Sequence, residues 1–343
     1  MYATRLLWLS ALISLLGLAA CTEPLTYKGD IQDPFANFDQ LAKSVSEHYC
    51  FFKQKDIDWD SVTAAYRERV TADMDRVELY LLMGEMLDEL RDGHVNLSTP
   101  FSTTYYKKWW SDYPQDFDDR VLQEYYLKFG GFQIATMQYC IFLPDTVGYI
   151  RMPSFNYEIS SASLDNILMS LRTTKRLIID IRDNGGGFLT NVPEVVGRFI
   201  DKKMVGGYIR HKTGPGHNDF SEPYTLEYKP AENGRVQYLG KPVAILTNRS
   251  CFSAANDFVS VMKELPNVKI VGATTGGGGG LPFSTDLPNG WSLRMSASPI
   301  NDAHDRITEF GIDPSPGCEI HCTPQEFAEG KDAILDFALK GEF

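Results

Sequence analysis

The segment 241–262 constrains the fold more than any other part of the chain, because its hydrophobic pattern changes within a few residues. Residues 241–247 (KPVAILT) form a short apolar run, which predicts a strand buried on both faces. A polar, turn-prone Asn-Arg-Ser follows, and from Ser253 onward the apolar residues recur at helical spacing. A strand that leads almost directly into a helix is typical of an α/β fold.

Ser253 lies at the junction of the predicted strand and helix. Backbone N–H groups at the start of a helix are free to bind an anion, and the helix dipole is positive there. A serine hydroxyl in this position is suited to act as a nucleophile beside an oxyanion pocket, and the small Ala254 and Ala255 leave room for a substrate. The simpler alternative is that Ser253 only caps the helix. This segment alone leaves both interpretations open.

Strand and helix patterns alternate over residues 146–343, and we predict that this part of the chain forms the core of the fold. The clearest patterns before residue 241 are two strands and two helices, at 146–152, 159–171, 176–182 and 192–200. Alternation of this kind predicts a parallel sheet whose crossover connections are right-handed.

Two glycine-rich segments follow predicted strands. Gly185, Gly186 and Gly187 allow the backbone to approach a ligand closely, and their N–H groups would suit a developing oxyanion. Their spacing is not that of a dinucleotide-binding GxGxxG turn, and the run 276–280 lacks the Lys-Ser/Thr of a phosphate-binding loop. We therefore expect no nucleotide or other cofactor.

Residues 35–97 predict a small helical domain, because three amphipathic patterns follow one another there. The third ends at Gly93, a residue type that commonly stops helices, and His94 follows at a corner where its side chain could face a cleft. A capping or surface role for His94 is the alternative. Residues 98–145 are rich in Trp, Tyr and Phe, and these rings could either line a peptide-binding groove or form a satellite core.

Residues 1–20 predict a targeting segment rather than part of the fold. Arg5 precedes an apolar stretch, 6–18, which is too short to span a membrane comfortably. The segment ends in Leu-Ala-Ala-Cys and resembles a bacterial lipobox, in which Cys21 would be acylated. The alternative is an ordinary cleaved signal followed by a chance cysteine. Residues 21–34 then predict a polar tether, so we expect a lipid-anchored protein of the cell envelope.

Composition and cysteine spacing exclude several classes of function. The formal net charge is -12 and no basic motif is present, so we expect no nucleic-acid partner. The cysteines beyond residue 21 show no CxxC pair or other metal-binding spacing, and we expect no metal. Cys318 and Cys322 could form a disulfide, whereas Cys251 is better placed for packing than for catalysis. Nothing in the sequence indicates an oligomeric state.

Four separated segments resemble one protein family when they are taken together. They are Asp92-Gly93-His94, 148–155 (GYIRMPSF), 180–187 (DIRDNGGG) and Phe252-Ser253-Ala254-Ala255. In this order and spacing they resemble the tail-specific, or carboxy-terminal processing, serine peptidases, over roughly residue 35 to the C-terminus. The resemblance implies a crotonase-like α/β core, with the helical domain as an N-terminal cap, and a polypeptide substrate.

The resemblance also implies catalytic roles. One branch of the family uses a Ser–Lys dyad, but Gly278 occupies the position of its lysine here. The tricorn-like and retinoid-binding-protein-like branch implies Ser253 as nucleophile, His94 as general base and Glu309 as the carboxylate that orients the base. Glu309 belongs to a Glu-Phe-Gly-Ile-Asp-Pro segment that resembles that branch's Glu-x-Gly-Val-x-Pro.

The resemblance further implies an oxyanion pocket, formed by the backbone N–H groups of Ala254 and of Gly185 or Gly186. The chain departs from the family in two places. The tricorn branch has a serine immediately before its histidine, where this chain has Gly93. The segment between residues 97 and 147 is too short for the PDZ domain that is common in the family.

Three functions follow from these residues as hypotheses. The first is a serine endopeptidase, whose activity should rise with pH through a histidine-like pKa near 6.5. The second is a catalytically inactive peptide- or ligand-binding lipoprotein on the same fold. The third is acyl-CoA chemistry, which suits a crotonase-like core but not an exported protein without access to coenzyme A.

Overall fold

The structure, a computed structural model, describes residues 29–128 and 130–341. The predicted signal peptide 1–20, Cys21 and residues 21–28 of the predicted tether lie outside the described residues. The α-helices are α1 (Pro34–His48), α2 (Trp59–Arg67), α3 (Arg76–Asp88), α4 (Lys108–Ser111), α5 (Asp119–Val121), α6 (Ser161–Ser170), α7 (Asn191–Val196), α8 (Ala254–Met262), α9 (Pro324–Ala328) and α10 (Ala333–Lys340). A one-turn π-helix (Leu122–Tyr126) follows α5.

The strands form two sheets. They are β1 (Asn96–Ser98), β2 (Phe132–Ile134), β3 (Met137–Phe142), β4 (Val147–Arg151), β5 (Arg176–Asp180), β6 (Met204–Ile209), β7 (Tyr224–Tyr228), β8 (Val243–Thr247), β9 (Val268–Gly272), β10 (Gly280–Asp286) and β11 (Ser292–Asp302). The larger sheet has the order β2-β3-β4-β5-β8-β9, and the smaller has the order β1-β11-β6-β7 with β10 also paired to β11.

The larger sheet is parallel from β4 to β9, as the alternation of strands and helices predicts. Its central strands β5 and β8 are covered on both faces, which explains their continuous apolar sequences. Ile179 and Ile245 pack into a core with α6, α7 and α8. Ile178 and Leu246 point the other way, into a core with α10. The fold is therefore a mixed α/β fold with a layered parallel sheet.

The predicted helical domain forms a layer against the smaller sheet. Helices α1, α2 and α3 each begin at an aspartate whose side chain accepts a backbone N–H, as is typical of N-caps. Their apolar faces share a core with Trp291, Leu293 and Met295 of the β11 region. The last residues of the predicted domain form β1, which pairs antiparallel with β11. The helical layer is thus joined to the rest of the molecule by packing and by a strand.

The aromatic-rich segment 98–145 does not stand apart from the core. Its second half forms β2 and β3, and β3 pairs antiparallel with β4 at the edge of the larger sheet. The predicted boundary at residue 145 therefore falls inside a sheet. The many aromatic residues hide the apolar–polar alternation by which these two short strands could be recognised in the sequence. Most of β2 is exposed, which weakens its pattern further.

The ends of β5 and β8 place two turns side by side. Both strands run in the same direction, so the segments that leave their carboxyl ends meet at one edge of the sheet. Asp183 and Asn248 join these segments: the Asp183 N–H donates to Asn248 Oδ1 at 3.0 Å, and Asn248 Nδ2 donates to Asp183 Oδ1 at 2.7 Å. This pairing fixes the turn that contains Gly185, Gly186 and Gly187 beside the residues that lead to Ser253.

Candidate active site

Ser253 is held in an unusual backbone conformation at the start of α8. Its φ is 56° and its ψ is -123°, a region that residues with side chains seldom occupy. The side chain does not cap the helix. Instead Oγ lies 3.0 Å from Nε2 of His94, a hydrogen-bonding distance. The capping alternative for Ser253 therefore does not describe its side chain, and the serine and histidine predicted from separate motifs meet.

His94 is fixed at its corner by Asp92. The backbone N–H of His94 donates to Asp92 Oδ1 at 2.8 Å, which closes the turn after α3. The ring is buried, with 4% exposure, and its centroid lies 4.6 Å from that of Phe252. A surface or simple capping role for the His94 side chain is thereby excluded, because the ring faces the nucleophile.

The imidazole of His94 is held in its neutral form. Burial lowers the pKa of His94 to about 4; Asp92 opposes this shift, while Arg294 and Lys55 reinforce it. At neutral pH the ring is therefore free to accept a proton at Nε2. Nδ1 then carries the hydrogen, and this atom is buried without a hydrogen-bond partner among the described residues.

The predicted oxyanion pocket contains two open N–H groups. Among the described residues, neither the N–H of Ala254 nor that of Gly185 donates to any acceptor. The N–H of Gly186 is already used, because it donates to Asn184 Oδ1 at 3.0 Å. Of the two predicted glycines, Gly185 is therefore the one free to bind a developing oxyanion beside Ser253.

Gly186 contributes by its size rather than by its N–H. Its φ is +90°, and a Cβ there would lie 2.8 Å from Ser253 Cβ and 2.9 Å from the backbone nitrogen of Ala254. Only glycine fits this approach of the two turns.

Glu309 lies near the site but does not contact the His94 ring. One carboxylate oxygen accepts the N–H of Gly279 at 2.9 Å, and the other lies 2.7 Å from Nζ of Lys55. Burial, with the charge of Asp92, raises the pKa of Glu309 to about 8, and Lys55 opposes the shift. Glu309, predicted as the carboxylate that orients the base, therefore accepts no hydrogen bond from the His94 ring.

Lys55 is a site residue that the sequence motifs did not identify. Its buried ammonium lies 3.3 Å from Asp92 Oδ2 and 2.7 Å from Glu309 Oε1, and it donates to the carbonyl of Arg91 at 3.1 Å. Burial alone would lower the pKa of Lys55, but the two carboxylates raise it. Lys55 sits between α1 and α2 with no recognisable motif around it, so only the fold brings it to the site.

Aromatic rings lie close to Gly93, where the tricorn branch has a serine, and to Gly278, where the Ser–Lys branch has its lysine. A Cβ on Gly93 would lie 2.5 Å from Nε1 of Trp109, and a Cβ on Gly278 would lie 2.6 Å from the ring of Phe252. The two rings stack on each other with centroids 4.2 Å apart. Neither a serine at residue 93 nor a lysine at residue 278 would fit without displacing this pair.

A cleft of about 390 Å³ opens over Ser253, His94 and Gly185. Part of the aromatic-rich segment lines it, through Tyr105, Trp109 and Trp110, and Asn156 and Arg294 complete the wall. Other rings of the segment pack elsewhere: Phe117 lies against the guanidinium groups of Arg151 and Arg182. Some rings of the segment therefore line a cleft, and others pack against the rest of the molecule.

The cysteines do not take part in the site. The five that are described, which include Cys318 and Cys322, are free thiols. Cys251 is fully buried, and its thiol donates to the carbonyl of Ile181 at 3.0 Å. Burial raises the pKa of Cys251 to about 12, which keeps it protonated. Its place is that of a packing residue, as expected.

Within residues 29–128 and 130–341, no helix has the length and apolar character needed to cross a bilayer. The same residues contain no group of three or more His, Cys, Asp or Glu side chains arranged to hold a metal ion.

Known proteins match both halves of the chain. The family model Peptidase family S41 matches residues 146–315, and the tricorn protease C1 domain matches residues 32–88. The Tricorn protease of Thermoplasma acidophilum is 28% identical over 197 residues, which are 57% of this chain and 16% of that protein. Carboxy-terminal processing protease CtpB of Bacillus subtilis is 26% identical over 176 residues, 50% of this chain and 33% of that protein. The chain thus spans a third or less of these two relatives.

Solved structures match nearly the whole chain. A protein from Parabacteroides merdae ATCC 43184, described as a candidate peptidase, is 40% identical with a TM-score of 0.84, and the match covers 90% of this chain and 96% of that one. Mature CPAF has a TM-score of 0.69 over 88% of this chain and 95% of its own, and at 12% identity it shares the fold alone. Taken with the family models and the motifs around His94 and Ser253, these matches show that the chain belongs to peptidase family S41, the tail-specific serine peptidases.

Proposed function

We propose that this protein is a serine endopeptidase that hydrolyses polypeptides outside the cytoplasm. The observation that carries the proposal is the 3.0 Å contact between Ser253 Oγ and a neutral His94 Nε2. A serine hydroxyl is a weak nucleophile by itself, and a positioned imidazole contributes roughly 10²–10⁴ in rate. The cleft of about 390 Å³ above the pair leaves the serine and the histidine open to a substrate.

The proposed reaction has two halves. Ser253 Oγ attacks the peptide carbonyl while its proton passes to His94 Nε2, and the resulting oxyanion is bound by the N–H groups of Ala254 and Gly185. When the C–N bond breaks, the leaving amine takes the proton from Nε2. A water molecule then gives a proton to the same nitrogen and attacks the acyl carbonyl. The bond between the acyl carbon and Oγ breaks, Nε2 returns the proton to Oγ, and the acid product leaves. Loss of one oxyanion donor in such a site costs about 10²–10³ in rate.

We assign the carboxylates an indirect role. Protonation of the ring during attack creates a positive charge, and Asp92 is the neighbour that most favours it. Glu309 holds Lys55, which in turn contacts Asp92. In this proposal Glu309 supports the base through the ion cluster rather than by a bond to the ring.

One observation favours the second hypothesis, a binding protein without catalysis. Nδ1 of His94 has no partner among the described residues, so nothing there fixes the tautomer that the mechanism needs. The aromatic cleft would suit peptide binding in either case.

Labelling and turnover distinguish the two functions. We expect a fluorophosphonate probe to label the protein, and Ser253→Ala to abolish both labelling and hydrolysis of an unfolded polypeptide such as reduced casein. Ser250→Ala, three residues earlier in the same turn, is the matched control and should label normally. Equal labelling of the Ser253→Ala variant would reject the nucleophile. Peptide binding without labelling or turnover would favour the binding protein.

The remaining features of the proposal concern architecture and location. We propose a crotonase-like arrangement of the larger sheet, as the family resemblance implies, and an anchor through acylated Cys21. Cys21→Ser should abolish incorporation of a labelled fatty acid and release the protein from the membrane fraction. Unchanged fatty-acid incorporation would reject Cys21 as the acylated residue.

A further inference from the structure

Two adjoining spaces lie beside α8, and the narrower of them touches the nucleophile Ser253. A narrow space of about 20 Å³ touches Ser253, Asp257, Leu281 and Ile300. A wider cavity of about 230 Å³ also has Asp257, Leu281 and Ile300 in its wall. The shared residues show that the two spaces lie next to each other. The two spaces together, called the cavity from here on, therefore begin beside Ser253.

The helix geometry aims Asp257 at this space. Asp257 is four residues after Ser253, and its N–H donates to the Ser253 carbonyl at 3.0 Å. Residues at this spacing lie on one helix face, and helical side chains lean towards the N-terminus. The Asp257 side chain therefore lies on the same face of α8 as Ser253, one helical turn further along, and lines the cavity.

The Asp257 carboxylate is only half satisfied. Tyr228 donates its hydroxyl to Oδ2 at 3.0 Å, while Oδ1 has no partner among the described residues. Burial raises the pKa of Asp257 to about 6, and the Tyr228 hydrogen bond opposes the shift. At neutral pH and above, the ionised carboxylate predominates.

The rest of the cavity wall lacks a compensating charge. Leu189, Leu226, Leu281 and Ile300 supply apolar walls, and no described lysine or arginine lines the cavity. The other acid in the wall, Glu227, is already paired with Lys203 at 2.6 Å on the surface. An apolar channel that ends at an unpaired carboxylate fits an aliphatic stem that carries a cation.

We propose that Asp257 is a specificity-determining residue, and that the site favours polypeptides with a lysine or arginine next to the scissile bond. This inference rests on the proposed peptidase function. The aliphatic part of the side chain would pack between Leu189, Leu281 and Ile300, and its cationic end would bind Asp257 Oδ1.

The test compares matched peptides. Two fluorogenic series carry lysine, norleucine or glutamate on either side of the scissile bond; norleucine has a similar apolar stem without the charge. For the parent protein we expect kcat/KM with lysine to exceed that with norleucine by at least about tenfold in one series. Asp257→Asn keeps the shape and an acceptor for Tyr228, and it should reduce this ratio to near one. Asp257→Lys should shift the preference towards glutamate.

The controls separate the two proposals. Asp60→Asn, an exposed aspartate on α2, should keep the lysine preference of the parent. Fluorophosphonate labelling of Ser253 in each variant shows that the nucleophile remains assembled. Equal cleavage of lysine and norleucine peptides by the parent, or an unchanged ratio in Asp257→Asn, would overturn the specificity and leave the peptidase function standing. Absence of both labelling and cleavage in the parent would overturn both.

Discussion

Ser253 stores backbone strain where the chemistry is expected. A positive φ on a residue with a side chain costs roughly 1–3 kcal/mol, and such strain persists where the surrounding structure enforces it. The N–H of Ser253 donates to the carbonyl of Gly277 at 2.9 Å, so the glycine loop, residues 276–280, helps to hold the Ser253 backbone conformation. The hydroxyl is therefore directed by the main chain and not by a rotamer choice alone.

This strain predicts an unusual stability change. Because glycine tolerates φ of +56° and alanine does not, Ser253→Gly should be more stable than Ser253→Ala by about 1 kcal/mol. Urea unfolding of the two inactive variants measures the difference. In a helix interior the order is reversed, so greater stability of the alanine variant would contradict the strained conformation.

The burial of His94 changes the expected pH dependence. A histidine in water would give an activity that rises near pH 6.5, but burial lowers the pKa of His94 to about 4. The base must be unprotonated, so its protonation should lower kcat/KM as the pH drops through about 4, measured with a norleucine peptide that carries no cation for Asp257. A pH series of kcat/KM, repeated as the rate of fluorophosphonate labelling, tests this expectation. A rise centred near pH 6.5 would contradict the buried environment.

At the scale of elements, the glycine loop 276–280 affects the site because it leaves no space for a side chain at residue 278. Gly278 has a φ of +78° and lies against the ring of Phe252, which also packs on His94. A side chain there would press on the ring that supports the base. The loop thus fits a histidine-dependent site and leaves no room for a lysine base.

Two glycines allow the steric part of this effect to be isolated. Gly290 also has a positive φ, of +81°, but a Cβ there would meet nothing within 4 Å. Gly290→Ala should cost about 1 kcal/mol and leave kcat/KM unchanged. Gly278→Ala should cost about 1–3 kcal/mol more and lower kcat/KM, because the Phe252 ring must move. Equal losses in the two variants, measured by thermal unfolding and peptide hydrolysis, would show that the contact with Phe252 is unimportant.

Local patterns explain why some elements could be predicted and others could not. Short stretches of consecutive residues determine some features: the apolar runs of β5 and β8, and the turns at Gly185 and Ser253. By contrast, β2 and β3 are short edge strands within an aromatic-rich segment, and their pairing with β4 depends on sequence-distant contacts. The serine and histidine could be predicted because each belongs to a motif. Lys55 has none, and the indirect position of Glu309 depends on how two loops pack.

At the scale of the whole molecule, a buried ion cluster joins the helical layer to the core. Lys55 comes from the connection between α1 and α2, Asp92 from the turn after α3, and Glu309 from the loop after β11. A cluster of this kind is sensitive to the loss of one member, because the remaining charges stay buried without a partner.

Removal of Lys55 should therefore affect both stability and the base. We expect Lys55→Met to lower the free energy of unfolding by about 3–5 kcal/mol. It should also raise the pKa of His94, because Lys55 is one of the charges that lower it; the acid limb of the pH profile would move to higher pH. Lys53→Met, an exposed lysine two residues earlier, is the control and should change neither. An acid limb that stays in place would assign Lys55 a purely structural role.

The 3.0 Å contact between residues 94 and 253 bridges two separately built interiors. The neighbours of the histidine, Val95 and Leu97, belong to the interior beneath the helical layer, while Cys251, Ala254 and Ala255 belong to that of the parallel sheet. Neither half carries a complete catalytic pair. In the proposed mechanism, a newly made chain would thus have no hydrolytic activity until the two halves have docked.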